Sequence, residues 1–140
     1  MIGCVKMRKT LTVIFIIIPL IVIAACQSNS QHDEIVKMSI SNSNGIGQVN
    51  TDFFTEYEDE ETIQIIEDII STASKVDGIV DMIDPEYDLE ITYANGDKEG
   101  IHIWMGEQGE RGTIMYVDNT HTIYYVSEED KKQLLDLISN

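Results

Sequence analysis

Basic side chains are scarce in this sequence. Nine Lys and Arg residues stand against 25 Asp and Glu residues in a chain of 140. Three of the nine lie within the first 25 residues, so the chain beyond them carries six basic and 25 acidic groups, a formal charge of −19. Phosphate backbones and anionic lipid head groups repel such a chain. The composition therefore excludes nucleic-acid binding, and the length allows one modest domain and excludes a multidomain enzyme.

Sequence patterns that carry catalysis are missing as well. The chain contains no Gly-x-Ser-x-Gly, no His-Glu-x-x-His, no Gly-rich phosphate loop and no Cys–His spacing. A hydrolytic nucleophile needs a base that is itself oriented, and His102 and His121 are the only neutral-range bases beyond residue 34. We therefore predict that the protein is not an enzyme and that it uses no cofactor.

The amino terminus is typical of a secretory signal. Residues 1–9 form a short basic segment, residues 11–23 form an apolar run, and two alanines follow. A permanent membrane-spanning anchor is the alternative. It is disfavoured because the apolar stretch is at the lower limit of the roughly 17–25 residues that cross a bilayer, and because Pro19 interrupts it. Both Met1 and Met7 fit as the start of this signal.

The segment that ends the apolar run, Ile23-Ala-Ala-Cys26, resembles the lipobox of bacterial lipoproteins. The resemblance implies that a diacylglyceryl group alkylates the thiol of Cys26 and that cleavage removes residues 1–25. Two acyl chains are an adequate membrane anchor, whereas a single chain holds only marginally. A disulfide at Cys26 is the alternative, but Cys4, the other cysteine, would leave with the signal. We expect a lipid-anchored protein on the extracytoplasmic face of the cell membrane.

The mature chain divides into a tether and one domain. Residues 26–34 hold the lipidated cysteine and a polar tether, because residues 27–34 contain no apolar side chain that could pack. A single domain follows over residues 35–140. Within it, the isoleucines of residues 59–73 recur at helical spacing, and Ser127 is a plausible N-cap for a second helix that runs to about residue 138.

Between the two helices the pattern alternates with a period of two. Residues 87–93, 100–105, 113–117 and 120–126 are predicted to form a meander of antiparallel strands, with a type I′ turn at Asn95-Gly96. Residues 35–40 offer a fifth strand. The predicted fold class is α+β, a four- to five-stranded antiparallel sheet with two helices packed on one face. The predicted core face is Leu89, Ile91, Tyr93, Ile101, Ile103, Met105, Ile114, Tyr116, Ile123 and Tyr125.

Alternation places an unusual mixture of side chains on the opposite face of the sheet. This predicted interaction face consists of Trp104, Tyr124, His102, Met115 and Glu90. Large apolar groups on an open face favour a binding surface for a protein, peptide or glycan partner centred on Trp104. The alternative is that residues 41–57 fold across this face and bury it. The sequence thus predicts a non-catalytic binding domain.

Clustered acidic residues suggest a competing class, a protein that binds Ca²⁺ or a small ligand. Asp77, Asp81 and Asp84 are weak candidate ligands that lie close together in sequence. An EF-hand is excluded because Leu89 stands where that loop needs Gly, and Asn95 where it needs Glu. No metal site is therefore assigned, and an enzyme of unknown class ranks third.

Several motifs along the chain carry a resemblance to a known family. They are the lipobox, the polar tether, the Ile-rich acidic helix, Asp84-Pro-Glu-Tyr-Asp-Leu-Glu-Ile-Thr-Tyr93, Asn95-Gly-Asp97, Ile101-His-Ile-Trp104, Tyr124-Tyr-Val126 and Ser127-Glu-Glu-Asp130. Together they are similar to the small YhfM-like lipoproteins of Bacillus-type Gram-positive bacteria, over roughly residues 35–138. The motifs are structural, so the resemblance implies location and architecture and assigns no catalytic residue.

Overall fold

The computed structural model describes residues 33–77 and 81–140. The predicted signal segment, Cys26 and most of the predicted tether lie outside these residues. The elements in chain order are β1 (Ile35–Asn42), β2 (Thr55–Tyr57), α1 (Glu60–Thr72), β3 (Ser74–Lys75), β4 (Tyr87–Tyr93), β5 (Lys98–Trp104), β6 (Gly112–Tyr116), β7 (Tyr124–Val126) and α2 (Glu128–Ser139). Over these residues the fold is α+β with two helices, which confirms the predicted class.

One antiparallel sheet contains all seven described strands, in the order β2-β1-β4-β5-β6-β7-β3. The prediction of four to five strands is therefore wrong. The two strands that it missed are β2 and β3, which form the edges and have three and two residues. Such short segments show no measurable alternation, so their pairing with β1 and β7 defines them as strands and their own sequence does not.

Helix α1 begins and buries its side chains as its sequence predicts. The Asp59 carboxylate accepts a hydrogen bond from the Thr62 N–H at 2.9 Å, which satisfies one of the free donors of the first turn. Hydrogen bonds from the Thr62 side chain and from the Thr62 N–H lower the pKa of Asp59 below its usual value. Ile63, Ile66 and Ile69 are buried against the sheet. The helix thus packs one apolar stripe on the core and leaves its acidic side exposed.

Helix α2 is capped in the same way. The Ser127 hydroxyl accepts from the Asp130 N–H and donates to the Asp130 carboxylate, so Asp130 serves where a capping box usually has Glu or Gln. Leu134 and Ile138 are buried as predicted. Lys131 is buried too, and its ammonium donates to the Glu107 carbonyl at 2.8 Å.

The hairpin between β4 and β5 forms where Asn95-Gly96 predicts it, but the turn type differs. A type I′ turn needs positive φ at both central residues, and only Gly96 has it, at 92°. Instead, the Tyr93 N–H donates to the Asp97 carbonyl and closes a longer connection. The two strands pair in an antiparallel register in which Leu89 lies opposite Ile101.

The two faces of the sheet differ in what covers them. On the helix side, Met38, Ile40, Leu89, Ile91, Ile101, Ile103 and Ile114 form the main core with α1 and α2. The predicted core face is confirmed for β4, β5 and β6 and wrong for the last strand. There Tyr124 and Val126 belong to the main core, whereas Ile123 and Tyr125 lie with Trp104 on the other face. The reason is a chain reversal at residues 117–122, which shortens the predicted strand to three residues and resets its alternation.

Within the described part of the chain, no helix has both the length and the apolar character needed to cross a bilayer.

Candidate functional site

The predicted interaction face is covered in the folded chain. Trp104 is 6% exposed and packs with Met115 and Ile123, and its indole N–H donates to the Ile83 carbonyl at 2.8 Å. Val76 and Met82 complete this second, smaller core. The residues that cover Trp104 are thus Val76, Met82 and Ile83, between β3 and β4, and not residues 41–57, the alternative that the sequence offered.

Residues 43–50 cover a different part of the same face. His102 and Asp88 are both 0% exposed, and His102 Nδ1 lies 2.7 Å from Asp88 Oδ1. The Gly47 N–H donates to His102 Nε2 at 3.0 Å, and the Asn50 N–H donates to the second Asp88 oxygen at 2.8 Å. Because Nε2 already accepts a hydrogen bond, this histidine is not free to act as a base toward a substrate.

The remaining residues of that predicted face are also engaged elsewhere. Glu90 is buried and accepts from the Lys98 ammonium at 2.6 Å. Tyr124 lies on the helix side of the sheet, in edge-to-face contact with Tyr116 at 5.8 Å between ring centroids. No open aromatic platform exists among these residues.

The candidate Ca²⁺ ligands do not form a site. Asp77, Asp81 and Asp84 are exposed. Within residues 33–77 and 81–140, no three His, Cys, Asp or Glu side chains lie close enough together to hold a metal ion.

The helix side of the sheet contains a cleft that the sequence does not reveal. It has a volume of about 550 Å³ and lies between α1 and strands β4 to β7. Apolar groups on its wall include Ile35, Ile70, Ala73 and Ile91, and the hydroxyl groups are those of Tyr93, Tyr116, Tyr124 and Ser71. Its acidic groups are Asp33, Glu67, Asp68 and Glu99, with the amide of Gln64 beside them. Volumes of this size are typical of small-molecule sites.

Two tyrosines of the cleft keep their protons well into the alkaline range. Burial, the hydrogen bond that Tyr93 donates to Glu99 at 2.8 Å and the nearby charges of Glu99 and Glu67 raise the pKa of Tyr93. Burial and the charge of Glu99 likewise raise the pKa of Tyr116. The Tyr116 hydroxyl forms no hydrogen bond within the described residues, so it remains a proton donor without a partner.

Among the described residues, Glu67 is the one carboxylate of the cleft whose side chain has no hydrogen-bond or ion-pair partner. It is half-buried on α1, and it forms neither a hydrogen bond nor an ion pair within the described residues. By contrast, Glu99 is bonded to Tyr93, and Asp68 accepts from Gln64 at 2.9 Å. Among the described residues that line the cleft there is no Lys, Arg or His. Within the described residues, the cleft is therefore lined by one carboxylate and one hydroxyl that have no hydrogen-bond partner, Glu67 and Tyr116. The space around them is negatively charged and partly apolar.

Sequence reasoning missed these residues for two reasons. The acidic side of α1 has a sufficient structural explanation as a solvated face, so Glu67 is not distinguished from its neighbours. Tyr93 and Tyr116 fall on the predicted core face, where a tyrosine normally packs. One signal was available, since a core face seldom carries several tyrosine hydroxyls that each need a partner.

Comparison with solved structures finds one that shares this fold. The chain is similar to a thioesterase-like protein from Clostridium sporogenes, with a TM-score of 0.59 and 14% sequence identity. The likeness covers 76% of this chain and 95% of the solved one. At this identity it shows a shared fold. No curated protein sequence matches the chain.

This likeness corrects the functional prediction. A non-catalytic binding domain was inferred because catalytic motifs are absent from the sequence, and the prediction that the protein is not an enzyme had the same basis. A protein described as thioesterase-like has this fold. The missing motifs therefore give no ground for excluding catalysis, and both predictions are wrong.

The family prediction is confirmed by the sequence comparison. A model of the YhfM protein family matches residues 30–140, which include both described segments and the cleft. The chain therefore belongs to the YhfM family.

Proposed function

We propose that the cleft beside α1 hydrolyses an ester or a thioester that carries a positive charge. One observation carries this proposal: the unengaged carboxylate of Glu67 and the unengaged hydroxyl of Tyr116 line the same partly apolar cleft. A carboxylate that activates water and a donor that stabilises an oxyanion are the two groups that acyl hydrolysis needs. The thioesterase-like description of a protein with the same fold supports the reaction class.

The proposed reaction assigns one role to each group. Glu67 accepts a proton from a water molecule while the water oxygen attacks the carbonyl carbon of the substrate. The Tyr116 hydroxyl donates a hydrogen bond to the carbonyl oxygen as negative charge develops there. The bond from the carbonyl carbon to sulfur or oxygen then breaks, and the proton held by Glu67 passes to the leaving thiolate or alkoxide. The products are a carboxylic acid and a thiol or alcohol.

The charge of the cleft determines the substrate class. Asp33, Glu67, Asp68 and Glu99 face the ligand space without a basic residue among them. They repel thioesters of phosphate-bearing thiols and attract ammonium groups. The rings of Tyr116 and Tyr124 add faces on which a cation is stabilised by roughly 0.5–2 kcal/mol. The apolar wall suits a short acyl chain.

A thiol-release assay tests the proposal. Butyrylthiocholine is the cationic probe, and S-ethyl thiobutyrate is its neutral counterpart. We expect hydrolysis of the cationic ester, and a loss of kcat on the order of 10²-fold or more in Glu67→Gln, since general-base catalysis contributes that much. Glu58→Gln is the matched control, because Glu58 is exposed and lies outside the cleft.

Two outcomes would overturn the assignment. One is that neither thioester is hydrolysed above the background rate, which would reject the reaction. The other is that Glu67→Gln retains the full rate, which would reject Glu67 as the base even if hydrolysis occurs.

The proposal also includes the location. We propose that Cys26 carries a diacylglyceryl group after residues 1–25 are removed, so that a tether of residues 26–34 holds the domain of residues 35–140 outside the cell membrane. The lipobox-like segment Ile23–Cys26 supports this. Labelled palmitate should enter the wild-type chain and be absent from Cys26→Ala. Equal labelling of the two chains would contradict the anchor.

A further inference from the structure

The loop between β1 and β2 is fastened to the sheet at the ring of a buried histidine. The Gly47 N–H donates to His102 Nε2 at 3.0 Å, across 55 residues of sequence. Since Nε2 is the acceptor, the proton of the neutral ring lies on Nδ1, where it is donated to Asp88. The ring is 0% exposed, so no water replaces either partner.

Two further hydrogen bonds hold the C-terminal end of the same loop, at Asn50. The Asn50 N–H donates to Asp88 at 2.8 Å, and the Ser41 hydroxyl donates to the Asn50 carbonyl at 2.6 Å. Neither bond uses the ring of His102. At the near end, the Ser43 N–H donates to the Glu86 carbonyl at 3.0 Å. Residues 44–49 therefore depend on the histidine for their hydrogen bond to the sheet, whereas Asn50 depends on Asp88.

We propose that protonation of His102 releases residues 44–49 from the sheet. A proton on Nε2 turns this atom from an acceptor into a donor, and it would then point at the Gly47 N–H, which is also a donor. Two donors cannot share a hydrogen bond, so the loop has to move. The charged ring is itself retained, because the Asp88 carboxylate lies 2.7 Å from Nδ1.

The charged groups nearest to His102 lie on β4, and uncharged side chains border it on β1 and β6. Asp88 lies beside it on β4, and Glu90 is two residues further along the same strand, paired with Lys98. On β1 the neighbouring side chains are the uncharged Ser39 and Ser41, and Ser39 in turn donates to Glu56, which is paired with Lys37. Met115 on β6 faces the ring and Trp104 contacts its edge. Asp84 lies close to Gly45 in the loop.

The release would be local. Phe54 beyond the loop donates its N–H to the Ile40 carbonyl at 3.0 Å, and β2 is paired with β1. These bonds do not involve His102, so acidification should open residues 44–49 and leave the sheet intact. His102 and Gly100, which the loop now contacts, would then reach solvent.

Nuclear magnetic resonance of the full chain in detergent tests the proposal. The ¹⁵N shifts of His102 report its tautomer and its protonation, and His121, which is exposed, is the internal control. We expect the protection of the Gly47 amide from exchange to fall at least about tenfold as His102 becomes protonated, after correction for the intrinsic pH dependence. The Phe54 amide should keep its protection.

A variant provides the second readout. Gln at position 102 cannot gain a charge, so His102→Gln should abolish the pH dependence of Gly47, and His121→Gln should preserve it. If His102→Gln does not fold, the wild-type titration alone decides. Gly47 protection that stays constant while His102 titrates would overturn the proposal, and so would a His102 that stays neutral until the whole sheet unfolds.

Discussion

The two faces of the sheet differ in whether their polar side chains have hydrogen-bond partners. On the face opposite the helices, Asp88, His102 and Trp104 are buried and each has a hydrogen-bond partner from a covering segment. Among the described residues, Thr92 Oγ1 on β4 is the one buried side-chain nitrogen or oxygen without a hydrogen-bond partner. On the helix side, Glu67 and Tyr116 line an open cleft and form no hydrogen bond within the same residues. Satisfied polar groups hold a fold together, whereas unengaged ones remain available to a ligand.

We expect the largest loss of stability from a variant on the covered face of the sheet. Trp104→Ala removes a ring that is 6% exposed and also frees the Ile83 carbonyl from its partner. We expect a loss of about 3–5 kcal/mol in the free energy of unfolding, measured by chemical denaturation. Phe54→Ala, at a ring that is 46% exposed, is the control and should cost about 1 kcal/mol or less. Equal costs would show that the Trp104 face is not closed.

A second variant acts on the open cleft alone. Tyr116→Phe removes the proposed oxyanion donor and keeps the ring that contacts Tyr124. We expect thioester hydrolysis to fall on the order of 10²-fold, with little change in the denaturation midpoint. Tyr125→Phe on the covered face is the matched control and should retain the rate. An unchanged rate in Tyr116→Phe would separate this hydroxyl from the reaction.

The loop over the covered face can be tested by crowding it. A methyl group at Gly100 would lie 2.8 Å from Val117 Cγ2 and closer still to Val49. Gly100→Ala should therefore cost about 1–3 kcal/mol by overpacking, and adding Val49→Ala should recover part of that loss. Calorimetry of the two variants measures the difference. If the double variant recovers none of the lost stability, Val49 does not pack against Gly100.

The smallest expected effect concerns alkaline pH. The pKa of Tyr93 is raised in the folded chain by burial and by its bond to Glu99, whereas an unfolded tyrosine ionises near about 10. Just above that pH, only the unfolded state loses the tyrosine proton. The contribution of Tyr93 to the free energy of unfolding is therefore fully present below about pH 10, and it declines as the pH rises further. The decline should be modest because the ring is only half-buried. Denaturation of Tyr93→Phe should show a shallower alkaline loss, and an equal slope would contradict the assignment.

Much of the fold follows from local patterns, and the cleft does not. The caps at Asp59 and Ser127 and the strand alternation around Leu89 act within a few residues, so the sequence alone locates α1, α2 and β4. The side of the sheet on which Tyr124 lies depends on where the chain reversal at residues 117–122 ends. Alternation along the sequence cannot indicate that point.

The burial of Trp104 and the role of Glu67 depend on distant segments. Trp104 is covered through its bond to Ile83, 21 residues away, and no spacing rule indicates that contact. Likewise, Glu67 differs from the other acids of α1 only because the cleft opens beside it, next to Tyr93 and Tyr116. A sequence reveals such neighbours only after the chain has folded.

Chemical-shift mapping with a substrate analogue that cannot be hydrolysed tests the distinction between the two faces most directly. The probe is a methyl ketone with a trimethylammonium group, titrated into ¹⁵N-labelled protein. We expect shift changes confined to the cleft, at Gln64, Glu67, Ser71 and Tyr116, with none at His102 or Trp104. Shifts centred on His102 and Trp104, or none anywhere at millimolar probe, would contradict this expectation.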